Sequence, residues 1–108
     1  MTEKEAKEII KKIEEYLDNA EISNDHCISI ISSKDVIENI TAFIDIIYRS
    51  PEYIGNTMLP FPIIIGSIAG REINFVVSDK IEDNSIYILL KKKKEAQRLA
   101  NDIQMIII

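Results

Sequence analysis

One cysteine, one histidine, three glycines, three prolines and no tryptophan are present in this 108-residue chain. Each scarcity closes a route. A lone Cys27 forms no intrachain disulfide, which leaves the redox compartment unconstrained and favours the cytosol. One histidine and one cysteine fall short of the four nitrogen or sulfur ligands a structural zinc site takes. The glycines at 66 and 70 are not followed by the Gly-Lys-Ser/Thr of a phosphate loop. Glu82-Asp83-Asn84 lacks the twelve-residue spacing of a calcium-binding hand. No cofactor or metal is expected. No apolar run approaches the roughly 20 residues needed to span a bilayer. The charged opening Met1-Thr2-Glu3-Lys4-Glu5 is followed by no apolar stretch of the kind that exports a protein. The expected location is the cytoplasm, with no membrane.

What the chain has instead is isoleucine, at 25 positions against five leucines and three valines. So lopsided a choice among similar apolar side chains fits an A/T-rich coding sequence, as in a thermophilic archaeon or a virus. It also supplies a core residue that is stiff at χ1 and favours pleated structure. With 46% hydrophobic and 29% charged residues the composition is that of a globular chain. Residues 1–108 are of a size for a single domain with one core.

The net charge of −5 opposes general affinity for nucleic acid. It is unevenly spread, with eight basic and sixteen acidic residues in 1–90 and five basic and two acidic in 91–108. Such asymmetry orients a partner or a second copy of the chain.

Thr2 with Glu5 three residues on is a capping-box pair. Behind it Ala6, Ile9, Ile10, Ile13, Tyr16, Leu17 and Ala20 form one stripe at helical spacing, predicting a first helix. Cys27-Ile28-Ser29-Ile30-Ile31 reads as a strand. Ser32-Ser33-Lys34-Asp35 offers caps for a second helix, expected from about Lys34 to Arg49. Its stripe would be Val36, Ile37, Ile40, Phe43, Ile44, Ile47 and Tyr48, widened by Ala42 and Ile46, making it the more buried helix. The stretch 50–62 holds all three prolines and reads as a long loop. Residues 63–68 and 71–77 read as strands joined by a tight turn at Ala69-Gly70, with Ile73, Phe75 and Val77 on a buried face. Gly66 within the first marks a bulge or a close backbone approach. Ile86-Tyr87-Ile88-Leu89-Leu90 reads as a further strand.

The C-terminal third admits two readings. One ends the strand at Leu90 and begins a helix near Lys93, with Ala96, Leu99, Ala100 and Ile103 inward. The other runs a helix from Asn84 to about Asp102 and closes on a strand at 103–108. The first predicts an α+β fold of order αβαβββα, a two-layer, mainly antiparallel sheet of about four strands packed by helices. The second predicts an N-terminal helix followed by a ferredoxin-like βαββαβ arrangement.

Asp25-His26-Cys27 is the single place where a nucleophile, a base and an acid adjoin. Neighbours in an extended segment point to opposite faces, so a turn followed by a strand accounts for them better than a catalytic dyad. No catalytic residue is assigned, and the balance leans away from an enzyme. Tyr48, Tyr53, Met58 and Phe61 are candidates for contacting a protein partner, since such side chains are enriched at interfaces; the competing role is a lid over the core. Lys91, Lys92, Lys93 and Lys94 with Arg98 are candidates for contacting anions or nucleic acid. No aromatics interleave them, and a solvated face explains them as well. The apolar tail 106–108 calls for packing in its own core or a neighbouring subunit. The leading expectation is a small non-enzymatic interaction or regulatory protein, homodimeric, that binds a protein through the 50–62 loop or a sheet edge. Behind it stands a nucleic-acid accessory protein using the lysine cluster. Third is an enzyme or small-molecule binder at a dimer interface, with Tyr53, Arg49 or Arg71 supplying hydrogen bonds.

Overall fold

The computed structural model describes residues 1–20, 22, 26–51, 53–58, 62–82, 85–92 and 102–107, those at 53, 54, 58 and 102–107 by backbone alone. It has an α+β fold. Helix α1 spans Glu3–Asn19, strand β1 His26–Ser32, helix α2 Lys34–Thr41 and strand β2 Asp45–Arg49. A short hairpin of β3 (Tyr53–Ile54) and β4 (Thr57–Met58) follows, then β5 (Ile64–Ile68), β6 (Arg71–Val77), β7 (Ser85–Lys92) and β8 (Asp102–Ile107).

Both helices begin where hydroxyl caps predict. The Thr2 hydroxyl oxygen accepts from the Glu5 amide at 3.2 Å, and the Ser33 hydroxyl oxygen accepts from the Val36 amide at 3.4 Å. Each cap satisfies an amide that the first helical turn leaves without a partner. Along α1, Ala6, Ile9, Ile13 and Leu17 are buried, one residue per turn, while Lys7 and Glu3 pair at 3.0 Å on the wet side.

The main sheet runs β2-β5-β6-β1-β7-β8. Only β1 and β6 lie parallel, Ile30 opposite Phe75; the other four pairings are antiparallel. One face of this sheet meets both helices. Ile28 and Ile30 of β1, Ile64 and Ile68 of β5, Ile73 and Phe75 of β6, and Ile86 and Ile88 of β7 interlock there with Ile9, Ile13, Leu17, Val36, Ile37 and Ile40. A fully buried isoleucine contributes roughly 1.5–3 kcal/mol, so this layer dominates stability. At its margin the buried Ser32 hydroxyl donates to the Ser85 carbonyl at 2.6 Å, tying β1 to the start of β7.

Two expectations are corrected. The second helix stops at Thr41 rather than near Arg49, and 45–49 is strand β2. Val36, Ile37 and Ile40 are buried as the stripe requires, yet Phe43, Ile46, Ile47 and Tyr48 are exposed. Antiparallel pairing of 45–49 with β5 gives this segment a ladder that a longer helix would forgo. The C-terminal region takes a part of each reading. The strand through Leu90 exists and runs on through Lys91 and Lys92, which overturns a helix from Asn84 and with it the ferredoxin-like order. The closing strand of that second reading is present as β8. The helix expected from Lys93 lies mainly outside the described residues, and its last positions, 102 and 103, belong to β8.

Gly66 marks a close backbone approach, while the bulge lies on the facing strand β2. The β2–β5 register shifts between Ile46 and Tyr48, opposite this glycine. A Cβ there would sit 2.7 Å from Ile44 Cδ1, 3.0 Å from Phe75 Cε2 and 3.1 Å from the Asp45 carbonyl oxygen. The turn at Ala69-Gly70 has positive φ at both residues, 52° and 77°, as the two-residue turn that follows sheet twist demands.

Candidate partner-binding surfaces

Burial alternates along β1, β5 and β6, and their described side chains directed away from the helices are exposed or half-buried. On β6, Ile73 and Phe75 are buried while Glu72, Asn74 and Val76 are exposed. Register then sorts this open face into rows across the sheet. Tyr48 of β2, Ile65 of β5, Asn74 of β6, Ser29 of β1 and Leu89 of β7 form one row. Val76, Ile31 and Tyr87 form a second, and Ile63 adjoins it beyond the end of β5. Asp45, Ser67 and Glu72 belong to a third, which continues one register step further through Cys27 to Lys91. None of these side chains is fully buried; Asp45 and Ser67, at the end of the sheet, also line an opening beside Ile10 and Glu14 of α1.

A second surface lies at the margin of the sheet. Among the described strands β2 has β5 on one side only, so half of its backbone amides and carbonyls face away from that pairing. All five of its residues are exposed, Ile47 at 56% and Tyr48 at 49%. Beyond β2, Ser50 closes the base of the 51–62 segment. Its amide donates to the Ile63 carbonyl at 2.9 Å and its hydroxyl accepts from the Ile63 amide at 2.8 Å. Between these ends Tyr53 pairs with Met58 in the β3–β4 ladder, and Gly55 turns the chain at φ 63°. The expected loop is thus partly a second hairpin, carried on the β2–β5 pair.

The anticipated contact residues divide accordingly. Tyr48 is exposed on β2, Tyr53 and Met58 are cross-strand neighbours, and Phe61 lies outside the described residues. Lys91 and Lys92 are consecutive in β7, opposite Cys27 and His26 of β1, and so project to opposite faces of the sheet. Lys93, Lys94 and Arg98 lie outside the described residues. His26 and Cys27 are split between faces in the same way. Of the arginines suggested for small-molecule contacts, Arg71 is engaged with Asp18 at 2.8 Å and Arg49 is exposed on β2. The exposure of Ile46, Ile47, Ile63 and Val76 has no signal in the sequence, because apolar residues at helical or strand spacing read first as core.

A cavity of about 380 Å³ opens between α1, the α2–β2 link and the β5–β6 turn, lined by Ile10, Glu14, Phe43, Ile44, Asp45, Ser67, Ile68 and Ala69. Lys7 Nζ stands 5.9 Å from the centre of the Phe43 ring near this opening. Among the described residues no three histidine, cysteine or carboxylate side chains converge as a metal site requires. No described helix is long and apolar enough to cross a membrane. The chain matches no family model, no curated protein and no solved structure.

Proposed function

We propose that this chain is a cytoplasmic, non-enzymatic interaction protein, homodimeric, that takes a protein partner through the β2 edge and the hairpin carried beside it. One observation carries the reading. Among the described residues no strand pairs with the outer side of β2, which presents Ile46, Ile47 and Tyr48 to solvent. Edges of this kind are normally blunted by lysine, proline or a covering loop, because they template another strand. An extended segment of a partner would add to β2 by main-chain hydrogen bonds, and the exposed side chains of Ile46, Ile47 and Tyr48 would select it. The β3–β4 hairpin, with Tyr53 and Met58, follows β2 directly in the chain, and Phe61 is retained as a contact candidate from the sequence alone.

The nucleic-acid reading ranks lower because Lys91 and Lys92 occupy opposite faces, which divides the positive charge that phosphate contacts would use. The small-molecule reading retains the 380 Å³ cavity and nothing more specific.

The test is a selection of extended peptides displayed on phage against the purified protein. Enrichment of β-branched, apolar sequences is expected, and a selected peptide should slow amide hydrogen exchange across 45–49. Ile47→Lys should abolish both effects. Peptides that protect a different segment, or no enrichment at all, would defeat the proposal.

A further inference from the structure

We infer that the helix-free face of the sheet binds a second copy of the same chain, face to face, about a two-fold axis parallel to the strands. The inference rests on the homodimeric reading above and assigns the surface that makes the dimer. Such an axis reverses the strand order of the partner. β5 of one copy then lies over β7 of the other, and β6 lies over β1.

The rows on this face are complementary under that operation. Leu89 falls over Ile65, Tyr87 over Ile63 and Ile31 over Val76, so apolar meets apolar. Asn74 falls over Ser29, a pair able to exchange hydrogen bonds. In the third row Lys91 falls over Ser67, whose strand neighbours on either side are Asp45 and Glu72. The cation of each copy is thereby set between two carboxylates of the other, at the rim of an apolar centre, the usual anatomy of an interface. Charge of one sign lies on the β2–β6 half and of the other on β7, and an isologous contact unites them twice.

Six strands at about 4.8 Å spacing and about 17 Å of strand length give a flat footprint of roughly 400 Å² per copy. That is small for a specific pair, so the dimer is expected to dissociate on dilution. The alternative self-association, β2 against β2 at the sheet edge, predicts a different geometry.

Cys27 distinguishes them, being the chain's single cysteine and exposed on the open face. Face to face, at a sheet separation of about 10 Å, the two Cys27 α-carbons lie about 11 Å apart. Edge to edge they lie about 34 Å apart, seven strand spacings. A short bismaleimide should therefore couple two chains through Cys27 in concentrated solution. Lys91→Glu and Glu72→Lys should each lower dimer content in sedimentation equilibrium, and the yield of coupled dimer, about ten-fold through like-charge contact. Mixing the two variants should restore much of both, since the reversed charge at 91 of one chain meets the reversed charge at 72 of the other, with only Asp45 of the Glu72→Lys chain left beside a like charge. A dimer that neither couples nor responds to these reversals would overturn the face and leave the homodimeric reading intact. A chain that stays monomeric at millimolar concentration would overturn both.

Discussion

On β6, Phe75 is sealed beneath the helices while Val76, the next residue, stands 44% exposed on the other side of the same strand. The two side chains differ little in hydropathy. Their fates differ because α1 and α2 cover one face of the sheet and the described chain leaves the other open. The covered face is apolar across its interior, with polar groups such as Ser32 confined to its margin, where Ser32 Oγ has a carbonyl partner at 2.6 Å. The open face mixes isoleucine, valine, leucine and tyrosine with Asp45, Glu72, Asn74 and Lys91. Such a mixture is poor for a monomer's core and suited to a surface that is covered part of the time.

Substitutions on each side of the sheet put this contrast to the test. The largest loss is expected for Ile30→Ala, a residue with no exposure at the centre of β1. Urea unfolding should show a loss of about 2–5 kcal/mol, because the helices above and strands beside it collapse only partly into the vacated space. Val76→Ala, one strand away on the open face, should cost well under 1 kcal/mol in dilute solution. Equal losses would erase the distinction between the faces. Gly66→Ala comes next. The Ile44 and Phe75 side-chain tips have room to yield, but the Asp45 carbonyl belongs to the backbone, and a loss of about 1–3 kcal/mol is expected, with the β2–β5 amides exchanging faster.

Ser33→Ala should remove about 1 kcal/mol from the same unfolding curve by stripping the cap that starts α2. Ala69→Asn should act in the opposite direction. Ala69 is the one described non-glycine residue with positive φ, and asparagine tolerates that region better, so a gain of about 0.5–1 kcal/mol is expected. The smallest effect belongs to Asp18→Asn. Its partner Arg71 keeps 28% of its side-chain surface and Asp18 keeps 62%, so a change of less than about 1 kcal/mol is expected, shrinking further in salt.

Where the sequence could be read, local chemistry and packing pointed the same way. The Thr2 and Ser33 caps, the α1 stripe, the alternation of β6 and the Ala69-Gly70 turn each declare themselves within a few residues. The α2–β2 boundary does not. Phe43, Ile44, Ile47 and Tyr48 satisfy helical spacing as well as they satisfy a strand, and no proline or glycine stands between Thr41 and Asp45 to break the tie. The helix end has no special signal either: the Thr41 hydroxyl bonds back to the Ile37 carbonyl at 2.7 Å, as threonines inside helices also do. Lys91 and Lys92 misled in a related way. Four successive lysines look like one basic feature, yet a pleat sends the two in β7 to opposite sides.

Amino-acid order by itself determined which side chains share a face within α1, β1 and β6, because there a period of 3.6 or 2 is written into the chain and needs no distant partner. Only the tertiary structure decided which strands became neighbours, that β1 and β6 run parallel, and that 45–49 leaves the helix to pair with β5. Those choices depend on backbone hydrogen bonds between segments far apart in the chain, and every peptide group offers the same donor and acceptor whatever its side chain. The open face and the unpaired edge are consequences of that choice, which is why the surfaces proposed for binding emerge from the sheet rather than from any motif.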